Sequence, residues 1–465
     1  MKRNLFFATA SVLALTATAA FADSNTAILN QADDSQHADI TQNGSNNSVG
    51  SYNGWGGFFQ ENGGLTGGNV LVIQQDGNGN SVGRDKKGIQ SGKGNTANIS
   101  QAGANSDVEL QQAGTENGTD NLYGAWSNSA VFNVIKQDSS SSGSKVDLTQ
   151  NGQANYFDIG QGGSSNQITA IQTGKAGELF VRQAVNSSGA NNTIITNQNT
   201  TGGIYTYANL YQVGNANLMS VGQDGANLGA GASQTGDGNV FSSTQVGATN
   251  LVGLSKGAVA DTPVSQQGNG NSYSSNQSGV GQLANGSQAG NGNIVNSNQS
   301  NSDNTLYGTQ IGNGNNVQST QSGLSNDFKY NQNGNSNYIL NSQIGSTAVA
   351  QITQSGSGNS AYNYQGSSAA ILDATSVGNN NYVYNVQSGG AYALVVQAGD
   401  GNKSVGSQSD GTGNYVDSYQ NGNSNQSYYS QVGTSNNLTV KQYNSSNYSK
   451  VNQVGLSNVA YVTQK

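Results

Sequence analysis

The chain has no cysteine, a single proline, a single histidine and two tryptophans among 465 residues. Without cysteine there is no disulfide framework, no thiolate metal site and no cysteine nucleophile. The one histidine, His37, stands between Gln36 and Ala38 and reads as a surface residue. Serine and aspartate are plentiful, yet no nucleophile has a base within a recognisable motif. Charge is scarce as well: 9% of residues are charged and the formal net charge is -8. That balance offers no basic footprint for nucleic acid. Only 33% of residues are hydrophobic, poor material for a conventional apolar core, so backbone and side-chain ladders have to supply the order.

What is abundant is Gly, with 66 residues, together with Asn, Gln and Ser. Composition alone would suit a disordered polar tract. The order of the residues argues otherwise. From Gln266 to Gln387 one phrase returns every 11 residues, with anchors at Gln266, Gln277, Gln288, Gln299, Gln310, Gln321, Gln332, Gln343, Gln354, Gln365, Ser376 as a substitute, and Gln387. The phrase is Gln-x-Gly-x-x-Asn, intact at Gln310–Asn315 and Gln332–Asn337. A disordered chain has no reason to keep such a register, and a short fixed period marks a repeat architecture.

With each Gln at position 0, positions +5, +7, +9 and +11 share one parity, the period of a β-strand. Between 0 and +5 the parity breaks, and Gly stands at +2, suited to the positive φ of a tight corner. Each 11-mer is therefore a strand plus a corner. Charge tests the parity, because an unpaired charge facing a dry interior costs several kcal/mol. In this stretch Asp303 falls in a corner at +4, and Asp327, Lys329 and Asp373 fall at outward +6 or +8 positions. None is on the inner track, which carries sets such as Asn326, Phe328, Tyr330, Gln332 or Asn381, Val383, Asn385, Gln387.

Two 11-mers close one coil of 22 residues, so equivalent strands stack in parallel as i and i+22, the facing half-coil serving as the crossover. Gln266, Gln288, Gln310, Gln332 and Gln354 then form one column and Gln321, Gln343, Gln365 and Gln387 the other. Amide side chains stacked about 4.8 Å apart can bond to the copies above and below. Asn315, Asn337, Asn359 and Asn381, with Asn326 in the second column, are the companion residues. The expected fold is all-β: a parallel β-solenoid of about twenty two-strand coils, with two facing parallel sheets and loop insertions.

Met1 to Asn4 is a short basic start, Leu5 to Ala20 is apolar, and Ala20-Phe21-Ala22 fits a signal-peptidase site. Residues 1–22 are expected to be a signal peptide, residues 23–465 a repeat domain, and the chain to be exported without a transmembrane segment. Register lapses near 51–74, 113–149, 184–211 and 251–265. Across the first lapse Gln42 and Gln75 lie 33 residues apart, three periods of 11, which fits either degenerate coils or a decorated loop. Pro263, unable to donate to a ladder, is expected off the strands. After Gln387 the anchors continue to Gln464 with one residue lost and one gained. The first inner Asn25 and the last inner residues up to Gln464 read as uncapped coils, an arrangement that suits growth through the ends.

Weaker signals are few. Gly88 to Gly94 has the wrong spacing for a phosphate loop and no Ser or Thr after Lys93. Asp33, Asp34, Asp76 and Asp224 lack the calcium-binding nonapeptide and read as solvated corner carboxylates. Trp55 with Phe58 and Phe59, and Trp126, suit either a sugar-binding or partner-binding platform or loops packed on the solenoid. The outward Tyr362, Tyr364, Tyr382 and Tyr384 form a patch of the kind that marks association, a lateral contact between fibres. No cofactor, metal or catalytic residue is indicated.

The strict hexad occurs about nineteen times, including at Gln42, Gln75, Gln90, Gln150, Gln212, Gln288, Gln310, Gln431 and Gln453. In this the chain resembles the curlin repeat of bacterial curli subunits. The resemblance implies a secreted, non-enzymatic structural subunit that assembles head-to-tail into extracellular amyloid-like fibres on the bacterial cell surface, serving biofilm matrix, adhesion and cell aggregation. It also implies a nucleator subunit and an outer-membrane export pore as partners. The alternative is a monomeric β-solenoid adhesin or ice-binding protein, which would need a flat outward array such as repeated Thr-x-Thr. An enzymatic β-helix would need paired carboxylates on one face.

Overall fold

The structure, a computed structural model, describes residues 24–465 apart from 34, 51–56, 62–67, 84–87, 105–106, 125–133, 140, 154, 186–188, 201–204 and 255–262. The expected leader at 1–22, Asp34, Trp55 and Trp126 lie outside the described residues. Everything regular in the described part is β-strand. The strands stack into a parallel β-solenoid of about 17 turns with roughly 22-residue spacing. The chain divides into two compact units, 1–171 and 172–465.

In the second unit the pairing follows the arithmetic of the repeat. Strand Thr305–Ile311 pairs in parallel with Asp327–Asn333, and that with Val349–Ser355, so that Gln310, Gln332 and Gln354 are direct neighbours. On the facing sheet Asn316–Leu324, Tyr338–Gln343, Ser360–Gln365 and Tyr382–Gln387 pair in turn, which aligns Gln321, Gln343, Gln365 and Gln387. Burial alternates with the strand period. Along Asp327–Asn333, Phe328, Tyr330 and Gln332 are buried, while Asp327 and Lys329 face outward. Outside, these two form an ion pair at 3.1 Å. Where an inner position must hold a large ring, its neighbour gives way. A Cβ on Gly308 would lie 2.4 Å from the Tyr330 ring, so the glycine is the space that Tyr330 fills.

The first unit keeps the same two ladders with longer coils. Leu29–Gln31, Phe58–Glu61, Ile89–Lys93 and Asp107–Thr115 pair on one sheet. On the other, His37–Asn43 pairs with Val70–Asn78 and that with Thr96–Ala104. Here the count of three periods between Gln42 and Gln75 is overturned. Three half-coils would place the two residues on opposite sheets, yet they are direct neighbours in one column. The 33 residues are a single coil enlarged by inserted chain, and its opposing strand is Phe58–Glu61, with Phe58 fully buried. Such enlarged coils are why the solenoid has about 17 turns where twenty were expected. The other lapses behave alike: Val134–Gln137 and Thr193–Thr200 are in-register strands. In the lapse at 251–265, Leu251–Val252 and Val264–Gln267 pair with the same neighbouring strand, Gly229–Thr235. Pro263 is exposed and lies outside any strand.

The corners explain why Gly is fixed at +2 and optional at +4. Gly290 and Gly292 occupy the same corner with φ of 114° and 65°. A Cβ on Gly290 would meet the Gly312 carbonyl oxygen at 2.0 Å, whereas one on Gly292 meets nothing within 4 Å. The +2 corner is thus closed by stacking and the +4 corner only by its backbone angle. At +4 non-glycine residues are accordingly tolerated, as at Ser336 and Asn380, with φ of 56° in both. We predict that Gly292→Ala costs about 1 kcal/mol, while Gly290→Ala disrupts the contact between its coil and the next. Amide hydrogen exchange resolved by coil measures this, since stability in a solenoid is carried by nearest-neighbour interfaces. Equal loss of protection in the two variants would contradict the steric account.

Candidate assembly site: amide ladders and a tyrosine face

Each inner glutamine ends a strand with its carboxamide buried, where an unsatisfied amide would cost a few kcal/mol. The structure answers with two acceptors for its two N–H groups. Gln310 Nε2 donates to Gln332 Oε1 at 2.9 Å and to the Ile294 carbonyl of the facing sheet at 3.0 Å. Gln332 donates to Gln354 Oε1 at 2.9 Å and to the Asn316 carbonyl at 3.4 Å. Upstream, Gln266 donates to Gln288, and Gln288 to Gln310. In the other column Gln321, Gln343 and Gln365 donate to Gln343, Gln365 and Gln387 respectively. The ladder therefore runs along the stack and also ties the two sheets together. At Ser376 the hydroxyl takes the place of the amide and donates to Gln397 Oε1 at 3.0 Å.

The +5 asparagines form a second ladder of opposite sense. The Asn337 backbone N–H and Nδ2 both donate back to Asn315 Oδ1, at 3.0 and 3.1 Å, and Nδ2 also reaches forward to the Gly356 carbonyl at 2.9 Å. Asn359 and Asn381 continue the series by donating their backbone N–H groups to Asn337 and Asn359. Asn326 does the same work on the second column, donating to Asn304 Oδ1 at 3.1 Å and accepting from the Ala348 N–H at 3.0 Å. All fourteen amides named from the sequence are buried members of these ladders.

Three features were not read from the sequence. Gln60, Gln137 and Gln198, inside stretches where the hexad lapses, are full members of the glutamine ladder. The signal available was the buried apolar residue two places before each: Phe58, Ile135 and, as a threonine, Thr196. The variable +3 position carries a third ladder on the exposed corner, in which the Asn313 N–H donates to Asn335 Oδ1 at 2.9 Å. Finally, Asn363 Nδ2 donates to Asn341 Oδ1 at 2.8 Å and Asn385 Nδ2 to Asn363 Oδ1 at 3.1 Å, a short buried ladder at mid-strand.

The outward tyrosines come together as the spacing implied. Tyr362 lies 5.5 Å between ring centroids from both Tyr338 and Tyr382 and 6.3 Å from Tyr384, and Tyr364 lies 5.8 Å from Tyr384. Half-burial among these rings raises the phenol pKa of Tyr338 and Tyr382, first by desolvation and then by the neighbouring tyrosines. Lys403 sits 5.5 Å from both the Tyr382 and Tyr428 rings, a cation on the face of two aromatic quadrupoles. Phe59 borders the described part of the first insertion and is half-buried.

Asp33 and Asp224 are exposed. Asp76 accepts from Asn43 Nδ2 at 2.6 Å and Asp224 from Asn199 Nδ2 at 2.9 Å. Among the described residues no group of three His, Cys, Asp or Glu is placed to hold a metal ion. Nor is any helix there long and apolar enough to cross a membrane. No protein-family model matches this chain, and no curated protein matches it.

The ladder makes a specific prediction about charge. Gln332→Glu with Gln354→Glu removes the Nε2 donors and stacks two carboxylates about 4.8 Å apart, a repulsion of roughly 1 kcal/mol even in water and more when desolvated. Burial raises the pKa of such carboxylates, so the folded state holds protons that the unfolded state has lost. The defect should therefore be largest at neutral pH and shrink as pH falls through the carboxylate range. Asp327→Asn, on the outside, should leave stability nearly unchanged. Thermal denaturation followed against pH checks both, and a pH-independent double variant would count against a buried amide column.

Proposed function

We propose that this protein is a secreted structural subunit of the curlin-repeat type that assembles head-to-tail into extracellular, curli-like amyloid fibres for biofilm matrix, adhesion and cell aggregation. The observation that carries this reading is the interchangeability of the coils. Gln288, Gln310 and Gln332 each accept from the preceding coil and donate to the next, and the backbone pairs them in one register. A coil of another copy offers the same donors and acceptors as the next coil of the same chain. Strand addition at an open parallel edge then needs no surface beyond the one already repeated within the molecule. A contact that is heterologous and does not close produces a filament.

The role is structural and needs no catalytic group. The nucleator subunit and the export pore follow from the curlin resemblance and belong to the same proposal. Purified chain lacking residues 1–22 should form filaments visible by electron microscopy after a lag phase. Fragmented filaments should abolish that lag, and Val462→Pro, which removes a ladder donor, should slow growth. A chain that stays folded and monomeric at high concentration, with seeds making no difference, would favour the solenoid adhesin and sink the fibre reading.

A further inference from the structure

The two outward faces of the second unit differ in charge. On the sheet that bears the tyrosine cluster, outward positions from Tyr338 to Lys450 include two cations, Lys403 and Lys450, and no acid. On the opposite sheet, outward positions from Ile371 to Tyr419 include two acids, Asp373 and Asp417, and no cation. Lys441 follows one coil later, and Lys329 two coils earlier is already paired with Asp327 at 3.1 Å. Neither Asp373 nor Asp417 forms an ion pair among the described residues.

The spacing also matches. Asp373, Leu394 and Asp417 are consecutive members of one column, so the two acids stand two coils apart, about 9.5 Å. Lys403 lies on Lys403–Ser409 and Lys450 on Tyr448–Leu456, with Gln426–Thr434 between them. The two cations are therefore also two coils apart. They differ by one outward position along the strand, an offset of about 7 Å that a flexible lysine stem can span. Around the charges both faces are flat and rich in half-buried apolar groups: Tyr362, Tyr384 and Val405 on one, Tyr392, Leu394 and Tyr415 on the other. Tyr392 and Tyr415 stack with centroids 5.2 Å apart. Burial raises the Asp373 pKa, the situation of a carboxylate that would gain from a cation.

We propose that the tyrosine face of one copy docks on the Asp373–Asp417 face of a second copy, with Lys403 and Lys450 opposite the two aspartates. The contact joins unlike faces, so it repeats from copy to copy and stacks filaments side by side. It rests on the reading of this chain as a fibre subunit and adds to it the lateral partner and the charges that choose it.

The test is a charge swap in the full chain lacking residues 1–22. Lys403→Glu with Lys450→Glu should thin bundles to single filaments while leaving their length unchanged, and Asp373→Lys with Asp417→Lys should do the same. Mixing the two variants should restore bundles, and raised salt should disperse those of the unmodified protein. Bundle width unchanged in both variants, as expected if the face holds a polysaccharide instead, overturns the proposal. Thinning that the mixture does not reverse overturns it too. If the unmodified chain makes no filaments, the fibre reading fails separately. The docking is then read by sedimentation of the folded chain, where either variant should lower the association constant about tenfold and the mixture recover it; no change there overturns the docking.

Discussion

A primary amide buried away from water must find partners for both N–H groups and its oxygen, and the rest of this structure depends on that demand. An isolated buried glutamine would be a liability of a few kcal/mol. Stacked at the strand spacing, it becomes a member of a chain in which Gln310 satisfies Gln332 and is satisfied by Gln288. The demand fixes register more tightly than apolar burial does. A slip of one residue would turn every inner side chain outward, and a slip of two would leave an amide facing a side chain that cannot answer it. With 33% hydrophobic residues, the chain has few other means of choosing one arrangement. Its second bond, across to the facing sheet as from Gln310 to the Ile294 carbonyl, also holds the two sheets together, a task that apolar packing performs in most sandwiches.

The parity of the repeat was legible because two independent features mark it: glutamine at the strand end and charge excluded from the inner track. Asp327, Lys329 and Asp373 all stand outward as that parity requires. Outward tyrosines were legible for the same reason, although apolarity alone would have turned them inward. What could not be read was where a coil had been enlarged. A count in units of 11 cannot distinguish three half-coils from one coil with inserted chain, and the 33 residues between Gln42 and Gln75 happen to fit both. Gln60 escaped notice because its strand keeps the glutamine and loses the Gly-x-x-Asn corner.

The corners show a different limit of sequence reading. Gly at +2 was expected from the positive φ of a tight turn, and the φ of 114° at Gly290 agrees. The stronger cause is the carbonyl of the coil below, 2.0 Å from where a Cβ would be. A neighbour 22 residues away is invisible to a rule about single turns. The exposed ladder through Asn313 and Asn335 has the same character: either residue alone is an ordinary turn asparagine, and only stacking gives it an acceptor.

The opposed senses of the two buried ladders make the solenoid a vectorial object. Glutamine N–H groups point toward later coils, and the asparagine backbone N–H groups point toward earlier ones. Any cross-section through the stack therefore exposes two unlike surfaces. One presents glutamine hydrogens with asparagine oxygens, the other glutamine oxygens with asparagine hydrogens. Like surfaces brought together would set hydrogen against hydrogen and oxygen against oxygen in every column, whereas unlike surfaces match in all of them at once. The side chains thus carry an arrow along the axis, and the partial dipoles of the two ladders oppose each other, so this arrow is written in hydrogen-bond sense and not in accumulated charge.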